Sequence, residues 1–167
     1  MTTITGNQLI GFDEQQGKGE TFNALNPATG EKLPVDFYDT TDDQLESATM
    51  QASIAFSIYK QKSSEQKALF LEQIAAEIEE LGNELIEICN QETALPELRL
   101  LGERGRTCNQ LRLFASVVKE GSWVGARIDT AQPNRQPIPK SDIRLMHVPL
   151  GPVVVFGASN FPLAFSV

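Results

Sequence analysis

The run Gly151-Pro152-Val153-Val154-Val155-Phe156-Gly157 constrains this 167-residue chain more than any other feature. Four successive apolar residues, three of them β-branched and bounded by glycines, fit a strand covered on both faces, as in a parallel sheet. The loop Gly157-Ala158-Ser159-Asn160-Phe161 follows, and Pro162 is placed to open a helix. A parallel strand needs a parallel neighbour reached through such a crossover. Since the sequence stops at Val167, it reads as a piece of a larger α/β fold, cut just inside that helix.

Upstream, residues 8–12, 21–25 and 33–38 alternate apolar and polar side chains between Pro/Gly-rich turns, which predicts a small β layer. Thr41-Asp42-Asp43-Gln44 has capping-box form, and Leu45, Ala48, Ala52, Ala55 and Tyr59 then share one face of a helix over 42–59. Ser63-Ser64-Glu65-Gln66 repeats the cap, with Leu71, Ile74, Ala75, Ile78 and Leu81 as the next stripe and Gly82 ending it. Asn83 can cap a shorter helix carrying Leu85, Ile88 and Cys89. After Pro96, Leu98, Leu101, Gly105, Cys108, Leu111, Ala115 and Val118 predict a long helix ending at Gly121. Gly102 and Gly105 inside it each cost about 1 kcal/mol relative to alanine, for which close packing on another backbone is the expected compensation. Residues 122–129 and 141–149 read as two arms of a long hairpin around a loop with Pro133, Pro137 and Pro139.

Composition excludes several classes of function. With 41% hydrophobic residues the chain is no disordered tail, and 14 Lys plus Arg against 22 Asp plus Glu give a net charge of −8. That balance speaks against a nucleic-acid binder or an anionic-membrane partner. No stretch reaches the roughly 18 apolar residues of a membrane span, and Met1 to Gly6 has no basic-then-apolar leader pattern. Cys89 and Cys108 lie in helical stripes without metal-ligand spacing, so neither a disulfide scaffold nor a metal site is expected, and the address is cytoplasmic.

Ligands in α/β folds sit at the carboxyl ends of strands, where a following helix N-terminus offers free N–H groups. That places Asn160 at the chemically interesting position, and two readings stand: it shapes the turn, or its amide donates to a developing oxyanion. His147 lacks an acid or cysteine partner and reads as structural. Arg99, Arg104, Arg106 and Arg112, interleaved with Glu97 and Glu103, read as a solvated ion-pair face. Glu77, Glu79, Glu80, Glu84 and Glu87 read as a wet helical surface.

The segment Pro149-Leu150-Gly151-Pro152-Val153-Val154-Val155-Phe156-Gly157-Ala158-Ser159-Asn160-Phe161-Pro162-Leu163 resembles the aldehyde dehydrogenase stretch in which a Rossmann strand leads to an Asn-Phe-Pro turn. Asn26-Pro27-Ala28-Thr29-Gly30-Glu31 resembles that family's N-terminal hairpin. Glu92-Thr93-Ala94-Leu95-Pro96 and Gln110-Leu111-Arg112-Leu113-Phe114-Ala115 resemble its intervening helices. The wording is most similar to the branch of α-ketoglutaric semialdehyde and NADP-preferring fatty aldehyde dehydrogenases.

The resemblance implies the N-terminal portion of the aldehyde dehydrogenase fold: residues 1–121 from the cofactor domain, 122–149 as an oligomerisation arm, and 150–167 as the first Rossmann strand, Asn-Phe-Pro turn and helix start. It implies oxidation of an aldehyde, such as 2,5-dioxopentanoate or a longer aliphatic one, to the carboxylate with NADP or NAD through a cysteine thioester. Asn160 then matches the oxyanion donor, and Phe156, Gly157, Ala158 and Ser159 match the loop lining the cofactor. Ser159 stands where many members carry tryptophan. The family's nucleophilic cysteine and glutamate base fall downstream of Val167, so this chain alone is expected to be inactive, its parent a homo-oligomer assembled through the arm. Two alternatives are a truncated interaction module docking on full-length subunits and a stand-alone cofactor-binding domain.

Overall fold

Thr41 and Ser63 start two helices by the same device. Each side-chain oxygen accepts the N–H three residues on, and the Gln at that position reaches back to the cap's own N–H. In the computed structural model, which describes residues 4–167, these are α1 (Asp42–Tyr59) and α2 (Ser64–Glu80). Gly82, with φ of +58°, turns the chain into α3 (Gly82–Thr93). α4 (Glu97–Glu120) follows Pro96 and stops at Gly121 in the left-handed region, φ +86°. Asn83 does not cap α3: that helix begins at Gly82, flush against the end of α2, and has no side-chain cap.

Ahead of the helices, β1 (Gln8–Ile10) pairs antiparallel with β2 (Asp13–Gln15), and β3 (Thr21–Leu25) with β4 (Lys32–Tyr38). In the turn between β3 and β4, Asn26 Oδ1 accepts the Ala28 N–H and its carbonyl accepts that of Gly30. The Phe22 and Phe37 rings stack across this pair at 5.7 Å. Gln44 joins the β layer to α1. Its buried amide donates to the Gln16 carbonyl and accepts the Lys18 N–H.

The core lies where α2 crosses α4. Ala68, Ala75, Cys108 and Ala115 are buried there, and small side chains let the two backbones approach. A second cluster of Ile86, Cys89 and Leu100 is flanked by Leu85, Leu95, Leu101 and, from the far end of the chain, Leu163. The buried line on α4 runs through Leu100, Glu103, Thr107, Cys108 and Ala115. It is rotated from the expected stripe: Leu98 is 83% exposed, whereas Leu100 is at 0%. Gly102 and Gly105 do not sit against another backbone; a Cβ at either would meet nothing within 4 Å. The apolar stripe of α1 is largely uncovered, with Leu45 exposed: the small β1–β2 hairpin lies near its middle, and Tyr59 at its end meets Phe70 of α2.

Beyond a 3-10 turn at Ser122–Val124, β5 (Arg127–Asp129) pairs antiparallel with β6 (Ile143–Leu145), so the expected hairpin forms over its inner residues. His147 closes its base: its N–H donates to the Val124 carbonyl, and its ring Nδ1 lies 3.2 Å from the Trp123 carbonyl. Residues 153–156 differ from expectation. They belong to no strand ladder among the described residues, and all four side chains are exposed, because no parallel neighbour is present to pair with them. Residues 162–166 form turns rather than the expected helix.

Candidate active site

The turn at residues 157–161 is closed by the Phe161 N–H donating to the Ala158 carbonyl at 3.1 Å. Asn160 and Ser159 are exposed on it, Ala158 is half-buried, and Phe156 just before it is 89% exposed. At Gly157 a Cβ would stand 3.2 Å from Ser166 Oγ, so a larger residue would push on the segment that follows.

Three side chains of α4 hold this segment, and none was legible as a site residue. Arg99 donates to the Asn160 carbonyl, and its guanidinium lies over the Phe161 ring, 4.9 Å from the centroid. Glu103 Oε1 accepts the N–H groups of Leu163 at 2.8 Å and Ala164 at 3.0 Å. Arg106 lies over the Phe165 ring at 5.9 Å. The expectation of a solvated ion-pair face thus fails for Glu103, which is only 6% exposed and bonds to backbone rather than to an arginine. A signal for this was present: Glu103 is three residues after Leu100 and four before Thr107, on the buried line. Arg112 does meet the expectation, but across helices, pairing with Glu79 on α2 through two hydrogen bonds. Arg104 donates to the Gly82 carbonyl.

Among the described residues, the Asn160 side chain makes no hydrogen bond, while its backbone carbonyl is held by Arg99. Chemically this is an amide donor presented to solvent on a fixed turn. The cysteines are the reverse case. Cys89 and Cys108 are buried, and burial pushes both thiols up, with the Glu92 and Glu103 charges adding to the effect at Cys89. A nucleophilic cysteine needs the opposite shift. For a dinucleotide, the exposed Phe156 and the open backbone from Gly157 to Ser159 suit one face of a flat ring. Residues 153–167 include no Lys or Arg to meet a phosphate.

A loop carrying an exposed asparagine amide is thus docked on α4 through Arg99 and Glu103. Residues 13–167 match the profile of the Aldehyde dehydrogenase family, and the chain belongs to that family. It is 52% identical over 165 residues to alpha-ketoglutaric semialdehyde dehydrogenase 2 of Azospirillum brasilense, covering 98% of this chain and 31% of that protein. It is 43% identical over 166 residues to the alpha-ketoglutaric semialdehyde dehydrogenase of Acinetobacter baylyi, covering 99% and 32%. The chain therefore spans about a third of the length of these curated relatives. Its fold follows the NADP-dependent glyceraldehyde-3-phosphate dehydrogenase of Bacillus halodurans, solved with NADP, at a TM-score of 0.83 and 21% identity, over 98% of this chain and 34% of that one. The expected N-terminal portion of the aldehyde dehydrogenase fold is what the structure contains.

Proposed function

We propose that this chain is the N-terminal part of an NAD(P)-dependent dehydrogenase that oxidises 2,5-dioxopentanoate, the α-ketoglutaric semialdehyde, to the dicarboxylate. The observation that carries the reading is Asn160: an exposed amide, free of internal bonds, on a turn whose backbone is anchored. The 52% identity to a semialdehyde dehydrogenase favours the substrate over a longer aliphatic aldehyde.

An aldehyde lying against this turn has its carbonyl oxygen at the Asn160 amide. When a thiolate supplied from outside these 167 residues adds to the carbonyl carbon, negative charge moves to that oxygen and the amide N–H stabilises it. Donors of this kind contribute about 2.7–4 kcal/mol to the transition state. Phe156, Gly157, Ala158 and Ser159 would hold the nicotinamide end of the cofactor, with the Phe156 ring as an apolar wall. The chemistry that a cofactor held there would supply is acceptance of the hydride from the substrate carbon.

Cys89 and Cys108 are buried with raised thiols, so neither is poised to attack an aldehyde, and the isolated chain is expected to be inactive. The arm over residues 122–149 leaves the outer edges of β5 and β6 open, which suits pairing with a second subunit in a homo-oligomer. The test is to join this chain to its downstream sequence and follow nicotinamide reduction with 2,5-dioxopentanoate. Aldehyde-dependent turnover in the joined protein and none in the 167-residue chain is the expected result. A folded joined protein inert to aldehydes would refute the reading.

A further inference from the structure

We infer that Glu103 and Arg99 are positioning residues for Asn160: they take over the backbone groups of the Asn-Phe-Pro turn and so keep the Asn160 amide free for substrate. This rests on the reading of Asn160 as oxyanion donor.

An asparagine in a turn ordinarily spends its side chain locally, its oxygen accepting the N–H two or three residues on. Both local partners are removed here. Two residues on is Pro162, which has no N–H. Three residues on is Leu163, whose N–H donates to Glu103 Oε1 at 2.8 Å, as does that of Ala164 at 3.0 Å. A carboxylate 60 positions away in sequence thus does the capping that Asn160 would otherwise do. Arg99 takes the Asn160 carbonyl, and its guanidinium lies on the Phe161 ring, so the peptide that follows the asparagine is fixed.

The carboxylate is placed for this at a cost. Glu103 is 6% exposed, and its second oxygen, Oε2, has no partner among the described residues. One turn of α4 separates the two residues, so a single rigid helix carries both contacts. Leu163, packed against Ile86, Cys89 and Leu100, presses the turn onto the same helix.

The test uses the joined, full-length enzyme and a double-mutant cycle. Asn160→Ala is expected to lower kcat by about 10²–10³-fold. Glu103→Ala is expected to lower kcat by about 10–100-fold with the cofactor KM unchanged, as loss of alignment does. Glu103→Gln, which keeps an acceptor oxygen, recovers most of that loss. Placed on Asn160→Ala, Glu103→Ala adds little further loss, because it acts through the missing amide. Should Glu103→Ala fail to fold, Arg99→Ala, at an exposed side chain, gives the same cycle. Losses that multiply, or a defect confined to KM, would overturn the inference while leaving the oxyanion reading intact. Wild-type turnover by Asn160→Ala would overturn both.

Discussion

Cys108 Sγ donates to the Ala75 carbonyl across 3.6 Å where α2 and α4 cross, with both residues at 0% exposure. The thiol acts as a small apolar plug with one weak bond, and its chemistry follows from that placement.

Burial pushes both thiols up. Alkylation of the native chain is expected to be slow at both cysteines and slower at Cys108, which is at 0% exposure against 8% for Cys89. Mass spectrometry after timed iodoacetamide exposure, with and without denaturant, reads this directly. Fast native labelling of Cys108 would contradict the packing described.

Leu100 is also at 0% exposure and anchors the cluster that receives Leu163. Leu100→Ala is expected to cost about 2–5 kcal/mol, from lost transfer energy and an unfilled cavity. Urea unfolding of the 167-residue chain checks it as a lowered midpoint at unchanged slope.

Gly102 and Gly105 sit inside α4 with open space at their Cβ positions. Gly102→Ala and Gly105→Ala in this chain are each expected to stabilise it by about 0.5–1 kcal/mol through reduced unfolded-state freedom. A fall in the unfolding midpoint of either variant would mean that its site is occupied in solution.

The hydrogen bonds from Arg112 hold the Glu79 carboxyl below its ordinary range. A carboxyl lowered in the folded state contributes stability above its unfolded value and loses it as pH falls through the folded one. The Tm difference between wild type and Glu79→Gln is therefore expected at neutral pH and to vanish in acid. The pair is half exposed, so salt also diminishes it. A Tm difference that persisted below the carboxylate range would assign the effect to packing.

Much of this molecule was legible because its signals are local. The Thr41/Gln44 and Ser63/Gln66 boxes place two helix starts, and Gly121 places a helix end, through atoms within a few residues of one another. The β3–β4 hairpin follows from the chemistry of its Asn26 to Gly30 turn. Pattern alone left Asn160 either shaping its turn or donating to an oxyanion, and the resemblance to the family's Asn-Phe-Pro turn singled it out.

What the sequence by itself determined is thus the helical frame, the hairpins and the asparagine at the turn, all encoded over short separations. Only the tertiary structure decided which face of α4 is buried and what Glu103 bonds to. A carboxylate among arginines reads as a surface charge until a chain segment 60 residues distant brings two N–H groups to it. The apolar run at residues 153–156 shows the complementary case. Its composition favours a strand, but a strand is a relation between two segments, and hydrogen bonds to a neighbour must be there for it to form.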